Sequence, residues 1–216
     1  MKTARTNALA AMVSHEPVRR KNMSCPFAAQ VNVSKGDRFQ IRPLVAGDTE
    51  RLGLFFDSLT DASRRVYGPH PLNCEHAKML CDQIDYGQSL RFVALGPLPT
   101  GAEQIVGYMI LDLGVRDSDI GRYAQAGRPL DGTITATFAP VIADTWQEHG
   151  LGSAMFPVVI DAARRVGRRQ IVLMGGVRDD NPRARHFYEK FGFVRVGGFV
   201  AGGVDNHDMI LDLYDD

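Results

Sequence analysis

Two groups of residues have types and spacings that could do chemistry. The first is the run from Gln147 to Ser153, a Gln-x-x-Gly-x-Gly pattern containing His149, Gly150, Leu151 and Gly152. It follows the β-branched pair Val141-Ile142 and opens an apolar stretch. Glycine tolerates positive φ and close backbone approach, so successive N–H groups there can converge on an anion. A helix starting at the same point adds its unpaired first-turn N–H groups and the positive end of its dipole. Together they could hold a pyrophosphate without a lysine. The plainer alternative is a tight strand-to-helix connection. The second group lies in "NPRARHFYEKFGF": Asn181 reads as an N-cap, Pro182 as the first helical residue and Gly192 as the stop. Within it Tyr188 supplies a phenol of pKa about 10, able to give a proton or simply to pack.

Other phosphate cradles fail on residues. A Walker loop needs Gly-Lys-Ser/Thr after its spaced glycine, which is missing here. A dinucleotide fingerprint needs a third small residue three positions after the second glycine, where this chain has Met155.

The elements that must position these groups can be read from periodicity. "RFQIRPLV" is a strand, and Leu52, Leu54, Phe55, Phe56 and Leu59 fit a helix capped by Asp48 or Thr49. A short helix from Asp61 towards Tyr67 and another at "CEHAKMLCDQI" follow. "SLRFVALG", "QIVGYMILDLGV" and "GTITATFAPVIA" make a meander, with a polar excursion from Arg116 to Asp131 before the last. After the glycine turn, Leu151, Met155, Val158, Val159, Ala162 and Val166 recur at helical spacing, with a kink expected at Pro157. "RQIVLMGGV" is a buried strand, and "VRVGGFVAGGVDNHDMILDL" closes as a strand pair. The order is mixed α/β.

Composition narrows the function class. Of 216 residues, 44% are apolar and 23% charged, ordinary for a globular chain. Lysine plus arginine equals aspartate plus glutamate at 25 each, so no global field points to nucleic acid or a membrane surface. No apolar run approaches the ~18 residues that span a bilayer. Cys25, Cys74 and Cys81 lack zinc-like pairing and read as idle thiols of a reducing compartment; no metal site is expected. Residues 1–37, acid-poor and short of a secretory core, read as a flexible leader, and residues 38–216 as one domain in the cytoplasm, monomeric or homodimeric.

The two motifs, in this order and one helix and one strand apart, resemble the GNAT superfamily of acetyl-CoA-dependent N-acetyltransferases. The resemblance implies a central, mostly antiparallel sheet splayed between its fourth and fifth strands, with acetyl-CoA as acyl donor. It implies that main-chain groups of Val141 and Ile142 bind pantetheine, with an N–H there stabilising the thioester oxygen. Gln147, His149, Gly150, Leu151, Gly152 and Ser153 would hold the pyrophosphate through N–H groups. Asn181 would anchor the loop and lie near the cofactor arm, and Tyr188 would protonate the leaving thiolate.

"FFDSLTDASRRVYGP" and "ADTWQEHGLGSAM" further resemble the acetyltransferase domain of bacterial protein lysine acetyltransferases. Those relatives carry a basic glutamate on the fourth strand; this chain has Thr137, which cannot deprotonate an ammonium of pKa about 10.4. Glu148 likewise stands where a glycine is usual. The base is left open among Asp112, placed in the cleft on the neighbouring strand, His70, Tyr67 and a water chain, whereas His149 and His186 read as a turn residue and a solvent-facing one. The acceptor would be a protein lysine or a small amine. The rival class is a non-catalytic acyl-CoA-binding or sensing module.

Overall fold

The computed structural model describes residues 27–33, 36–97 and 103–214. The first strand, β1 (Ala29–Asn32), pairs antiparallel with β2 (Arg38–Pro43) in the register Ala29↔Ile41 to Asn32↔Arg38. Phe27 and Val33 are buried, and Phe27 meets Phe92 edge-on at 6.4 Å. The expected boundary at 37/38 therefore cuts through a hairpin, and the sheet begins inside the segment read as leader. The weak alternation of Val31 and Val33 among small residues concealed it. Residues 1–26, with Cys25, lie outside the described residues.

Three helices follow β2: α1 (Thr49–Ser58), α2 (Asp61–Arg65) and α3 (Cys74–Asp82). Thr60 and Asn73 cap the last two by accepting from Ser63 N–H and His76 N–H. Asp48 stands at the start of α1 without capping it through its side chain. Its buried carboxylate instead receives Arg42 at 2.6 and 2.7 Å and Val45 N–H at 2.9 Å. Arg64 donates to the carbonyls of Phe56, Leu59 and Leu72, tying α1 to the chain on either side of α2. Cys81 is buried, whereas Cys74 is exposed and donates to Asp57 at 2.9 Å; both are free thiols.

The meander continues through β3 (Ser89–Pro97) and β4 (Glu103–Asp112). The polar excursion then contains a helix that periodicity did not reveal, α4 (Asp117–Gln125). With Ile120 exposed, it is held by polar anchors more than by an apolar stripe. Tyr123 OH donates to Met209 O at 2.7 Å, and Arg122 bridges the buried Asp119 and Asp208 at 2.6 and 2.9 Å.

β5 (Thr135–Ile142) leads into α5 (Leu151–Arg165), which continues through Pro157. Then come β6 (Gln170–Leu173), β7 (Val177–Arg178), α6 (Pro182–Lys190), β8 (Val194–Ala201) and β9 (Val204–Asp212). The strand order is β1-β2-β3-β4-β5-β6-β9-β7, with β8 also pairing β9. Among the described residues only β5 and β6 run parallel; this is the mixed, mostly antiparallel sheet expected from the sequence.

Each face has its own helices. Gly107, Phe138 and Ile142 face α5: a Cβ on Gly107 would come within 2.7 Å of Met155 Sδ and 3.0 Å of Ile142 Cδ1, so any larger residue would have to displace these side chains. The Phe138 and Phe156 rings meet at 4.8 Å, tilted by 46°, and their full burial contributes about 2–3 kcal/mol each. Tyr108, one residue on in β4, points to the other face and meets Phe56 of α1 at 5.5 Å. α4 lies on that second face, where Tyr123 clusters with Val172 and Ile210.

Candidate active site

β5 and β6 pair from Thr135↔Gln170 to Phe138↔Leu173, and Met174 N–H reaches Phe138 O at 2.9 Å. Beyond that point β5 continues to Ile142 beside β4 alone, so the sheet opens between its strands. These are the fourth and fifth strands of the sequence reading, displaced by one because β1 precedes them. A cavity of about 820 Å³ fills the opening, within the usual size of a small-molecule site. Its walls come from both faces of the sheet: Phe187 and Tyr188 of α6 on one, Tyr67 and Arg116 on the other.

Strand alternation decides which β5 groups face the gap. Phe138 O bonds towards β6, so Pro140 and Ile142 direct their main-chain groups the same way, and Val141 bonds towards β4. Proline has no N–H, leaving Ile142 N–H as the donor of this segment aimed into the opening. The expectation for Val141 is thereby corrected: its buried side chain lines the cavity, but its main chain belongs to the ladder.

Gln147 is also corrected. Its N–H is taken by Ala143 O at 3.1 Å, so it cannot serve an anion. Its side chain instead donates to Ile142 O at 2.9 Å and Ser63 Oγ at 3.0 Å, fixing the turn to the end of β5. Asp144 completes this clamp by accepting from Thr60 N–H, Thr60 Oγ1 and Ser63 Oγ at 3.0, 2.7 and 2.8 Å. Burial pushes the Asp144 carboxyl upward, and these hydrogen bonds outweigh it and hold it below its ordinary value. No sequence signal marks a link across 84 residues.

The turn itself has the backbone of an anion cradle. Glu148 and Gly150 take φ of 62° and 85°, both left-handed, which accounts for a glycine being usual at position 148. His149 Nδ1 lies 2.7 Å from Gln147 O, within the turn. Gly150 is the N-cap of α5 and makes no side-chain cap, so the first-turn N–H groups of Leu151, Gly152 and Ser153 have no acceptor within the helix. A Cβ on Gly152 would stand 3.6 Å from Phe187 and 3.7 Å from Ile142, an ordinary contact. Packing therefore does not require glycine at 152; what glycine leaves is open space above donor groups. These residues fit the pyrophosphate of acetyl-CoA, with Arg183 and Lys190 of α6 supplying positive charge along the same wall.

On α6, Asn181 Oδ1 accepts from Ala184 N–H at 3.2 Å, as its N-cap reading expected. Tyr188 is buried among Phe138, Phe187 and Phe193 and lines the cavity. Burial pushes its phenol upward, so it holds its proton throughout the neutral range.

The candidate bases fare differently. Thr137 is buried and donates to Gly114 O at 2.6 Å. Asp112 is not brought to the cavity: it pairs with Ser89 and Thr137, on the part of β5 still joined to β6, and accepts from the Ser89 hydroxyl. Tyr67 does line the cavity, and its OH lies 3.1 Å from His70 Nε2. His70 Nδ1 lies 2.8 Å from Pro71 O, an acceptor only, so Nδ1 carries the proton and Nε2 accepts from Tyr67 and from Tyr108 at 3.3 Å.

Burial lowers the His70 pKa; the bond to Pro71 opposes it, and the result is about 4. The unfolded chain takes up this proton near pH 6.5, the folded one only near 4, so stability present above pH 6.5 is lost as pH falls through 4. The loss approaches about 3 kcal/mol. His70→Gln keeps an acceptor for both phenols and cannot titrate. Denaturant unfolding at pH 7, 5.5 and 4.5 is expected to show the variant gaining on the wild type as pH falls; a constant difference would refute this.

Comparisons with known proteins identify the family and the fold. The sequence profile of the acetyltransferase (GNAT) family matches residues 59–193. A curated acetyltransferase of Pseudomonas aeruginosa is 33% identical over 143 residues, 65% of this chain and 67% of that protein. Among solved structures, the GNAT domain of S. lividans PAT aligns with a TM-score of 0.66 at 20% identity, covering 86% of this chain and 97% of that one. Salmonella typhimurium yncA, solved with its cofactor acetyl-CoA, aligns with a TM-score of 0.60 at 18% identity, covering 82% of this chain and 95% of that one. The chain belongs to the acetyltransferase (GNAT) family, and it is an N-acetyltransferase with acetyl-CoA as its acyl donor.

Proposed function

We propose that the enzyme acetylates a primary amine by direct attack on the thioester, with donor and amine entering the gap between β5 and β6 from opposite faces. The observation behind this is the cavity itself, which passes between the strands and takes walls from both helix layers. On the α5–α6 side the N–H groups of Gly150, Leu151, Gly152 and Ser153 hold the pyrophosphate, beside His149. Asn181 fixes the start of α6 next to the pantetheine arm. At the gap, Ile142 N–H donates to the oxygen on which negative charge builds, an effect that is often the largest single contribution to acyl transfer. Gln147 orients this donor by gripping the carbonyl of the same residue. As the C–N bond forms and the C–S bond breaks, Tyr188 gives its phenolic proton to the departing sulfur, and the proton that the attacking nitrogen loses returns to Tyr188 through solvent.

Calorimetric titration with acetyl-CoA, followed by thiol-release assays on the same sample, tests the reading. Binding together with amine-dependent thiol release is the expected result. Absence of binding would mean that the turn at Gly150 only joins a strand to a helix.

A further inference from the structure

The acceptor path proposed above can be taken to the chemical class of the amine. On that side the cavity is framed by Tyr67, Gly68 and Pro69, by Arg116, and by Met174 and Asn206. None of these is acidic, and the one carboxylate among the cavity's lining residues, Glu148, stands at the pyrophosphate turn. The acids nearest in the fold do not line the cavity: Asp117 follows Arg116 at the start of α4, outside the lining. Asp119 is buried in its pair with Arg122, Asp112 accepts from Ser89, and Asp180 holds both Arg65 and Arg178. A polyamine or aminoglycoside entering here would find no carboxylate on this part of the cavity wall for its remaining ammonium groups.

On the acceptor side of the cavity wall Arg116 differs from Arg65 and Arg178; Arg183 and Lys190 stand on α6, at the pyrophosphate side. Arg65 and Arg178 share Asp180 at 3.0 and 2.8 Å, and Lys190 donates to Ser153 Oγ at 3.1 Å. Arg116 Nη2 donates to the Met174 thioether at 3.1 Å, and no carboxylate among the described residues pairs with it. A thioether is a weak acceptor, while a guanidinium carries five N–H donors in a plane that matches a carboxylate.

The position is equally specific. The bond from Thr137 to Gly114 O fixes the chain entering α4 on the face opposite α5. Met174 is the first residue past the last β5–β6 pair, Phe138↔Leu173. The guanidinium therefore lies over the point where the strands part, on the acceptor face.

We propose that the acceptor is an amino acid: its carboxylate docks on Arg116 through paired hydrogen bonds, and its amino nitrogen enters the gap towards the acyl carbon. The test compares free amino acids with their amides and methyl esters, and with spermidine and an aminoglycoside, in the thiol-release assay. Wild type, Arg116→Gln and Arg116→Glu are assayed, with acetyl-CoA affinity measured in parallel by calorimetry.

The expected result is acetylation of at least one free amino acid, with kcat/KM falling about 10- to 100-fold for its amide, the scale of a charge-assisted pair. Arg116→Gln is expected to erase the difference between acid and amide, and Arg116→Glu to reverse it, both with unchanged acetyl-CoA affinity. Equal use of acid and amide by the wild type, a preference for spermidine, or a preference that survives Arg116→Gln would each overturn the assignment. So would acetyl-CoA binding with every amino acid inert. Failure to bind acetyl-CoA would instead defeat the underlying acceptor-path reading.

Discussion

Gly152→Asp is expected to abolish acetyl-CoA binding, by more than about 100-fold in affinity, while leaving the thermal transition near its wild-type value. The two halves have separate causes. The added Cβ would lie at ordinary contact distance from Phe187 and Ile142, so the folded chain accommodates it. An aspartate in the first turn of α5 also meets the positive end of the helix dipole, which favours folding by a few tenths of a kcal/mol or more. The same carboxylate fills the space above the N–H groups of Leu151 and Ser153 and opposes a pyrophosphate of like charge. Gly152→Ala adds bulk without charge, and its smaller loss would show how much of the effect is steric. Calorimetry against acetyl-CoA with scanning of the apo protein gives both readouts. Affinity within threefold of wild type would refute the cradle.

Tyr188→Phe is expected to lower kcat by about 100-fold, the scale of one acid–base group, with the acetyl-CoA dissociation constant unchanged. The substitution removes one oxygen and leaves the ring among Phe138, Phe187 and Phe193, an aromatic pocket that accepts phenylalanine readily. Because burial keeps the wild-type phenol protonated, the acid is present in the reactive form over the whole neutral range. Turnover within twofold of wild type would assign sulfur protonation to another group or to water.

Much of this molecule was legible from local chemistry. The meander, the α5 start at the glycine turn and the Asn181 cap follow from period, φ tolerance and side-chain reach, all of which act within a few residues. What escaped was decided at long range. α4 owes its place to Tyr123 and Arg122 bonding with β9, more than 80 residues away. β1 is a strand because β2 offers it a ladder, not because Ala29–Asn32 has strong preferences of its own.

The site shows the same division. The cradle glycines and Tyr188 could be placed by motif. That Val141 faces β4, that Gln147 holds Ile142 O, and that Asp112 lies short of the gap all depend on strand register, which one sequence does not display. Arg116 drew no notice because a lone arginine before a polar stretch reads as surface; only Met174 and the end of the β5–β6 ladder give it a location.

A sheet that parts between β5 and β6, open to both helix layers, has a kinetic consequence. On the proposed route the two products leave by different doors: free thiol cofactor by the α5–α6 face, acetylated amine by the other. Neither has to wait for its partner, and no acyl group needs to be parked on the protein in between. Free coenzyme A should then compete with acetyl-CoA but not with the amine, the acetylated product should compete with the amine alone, and initial-rate plots should intersect rather than run parallel.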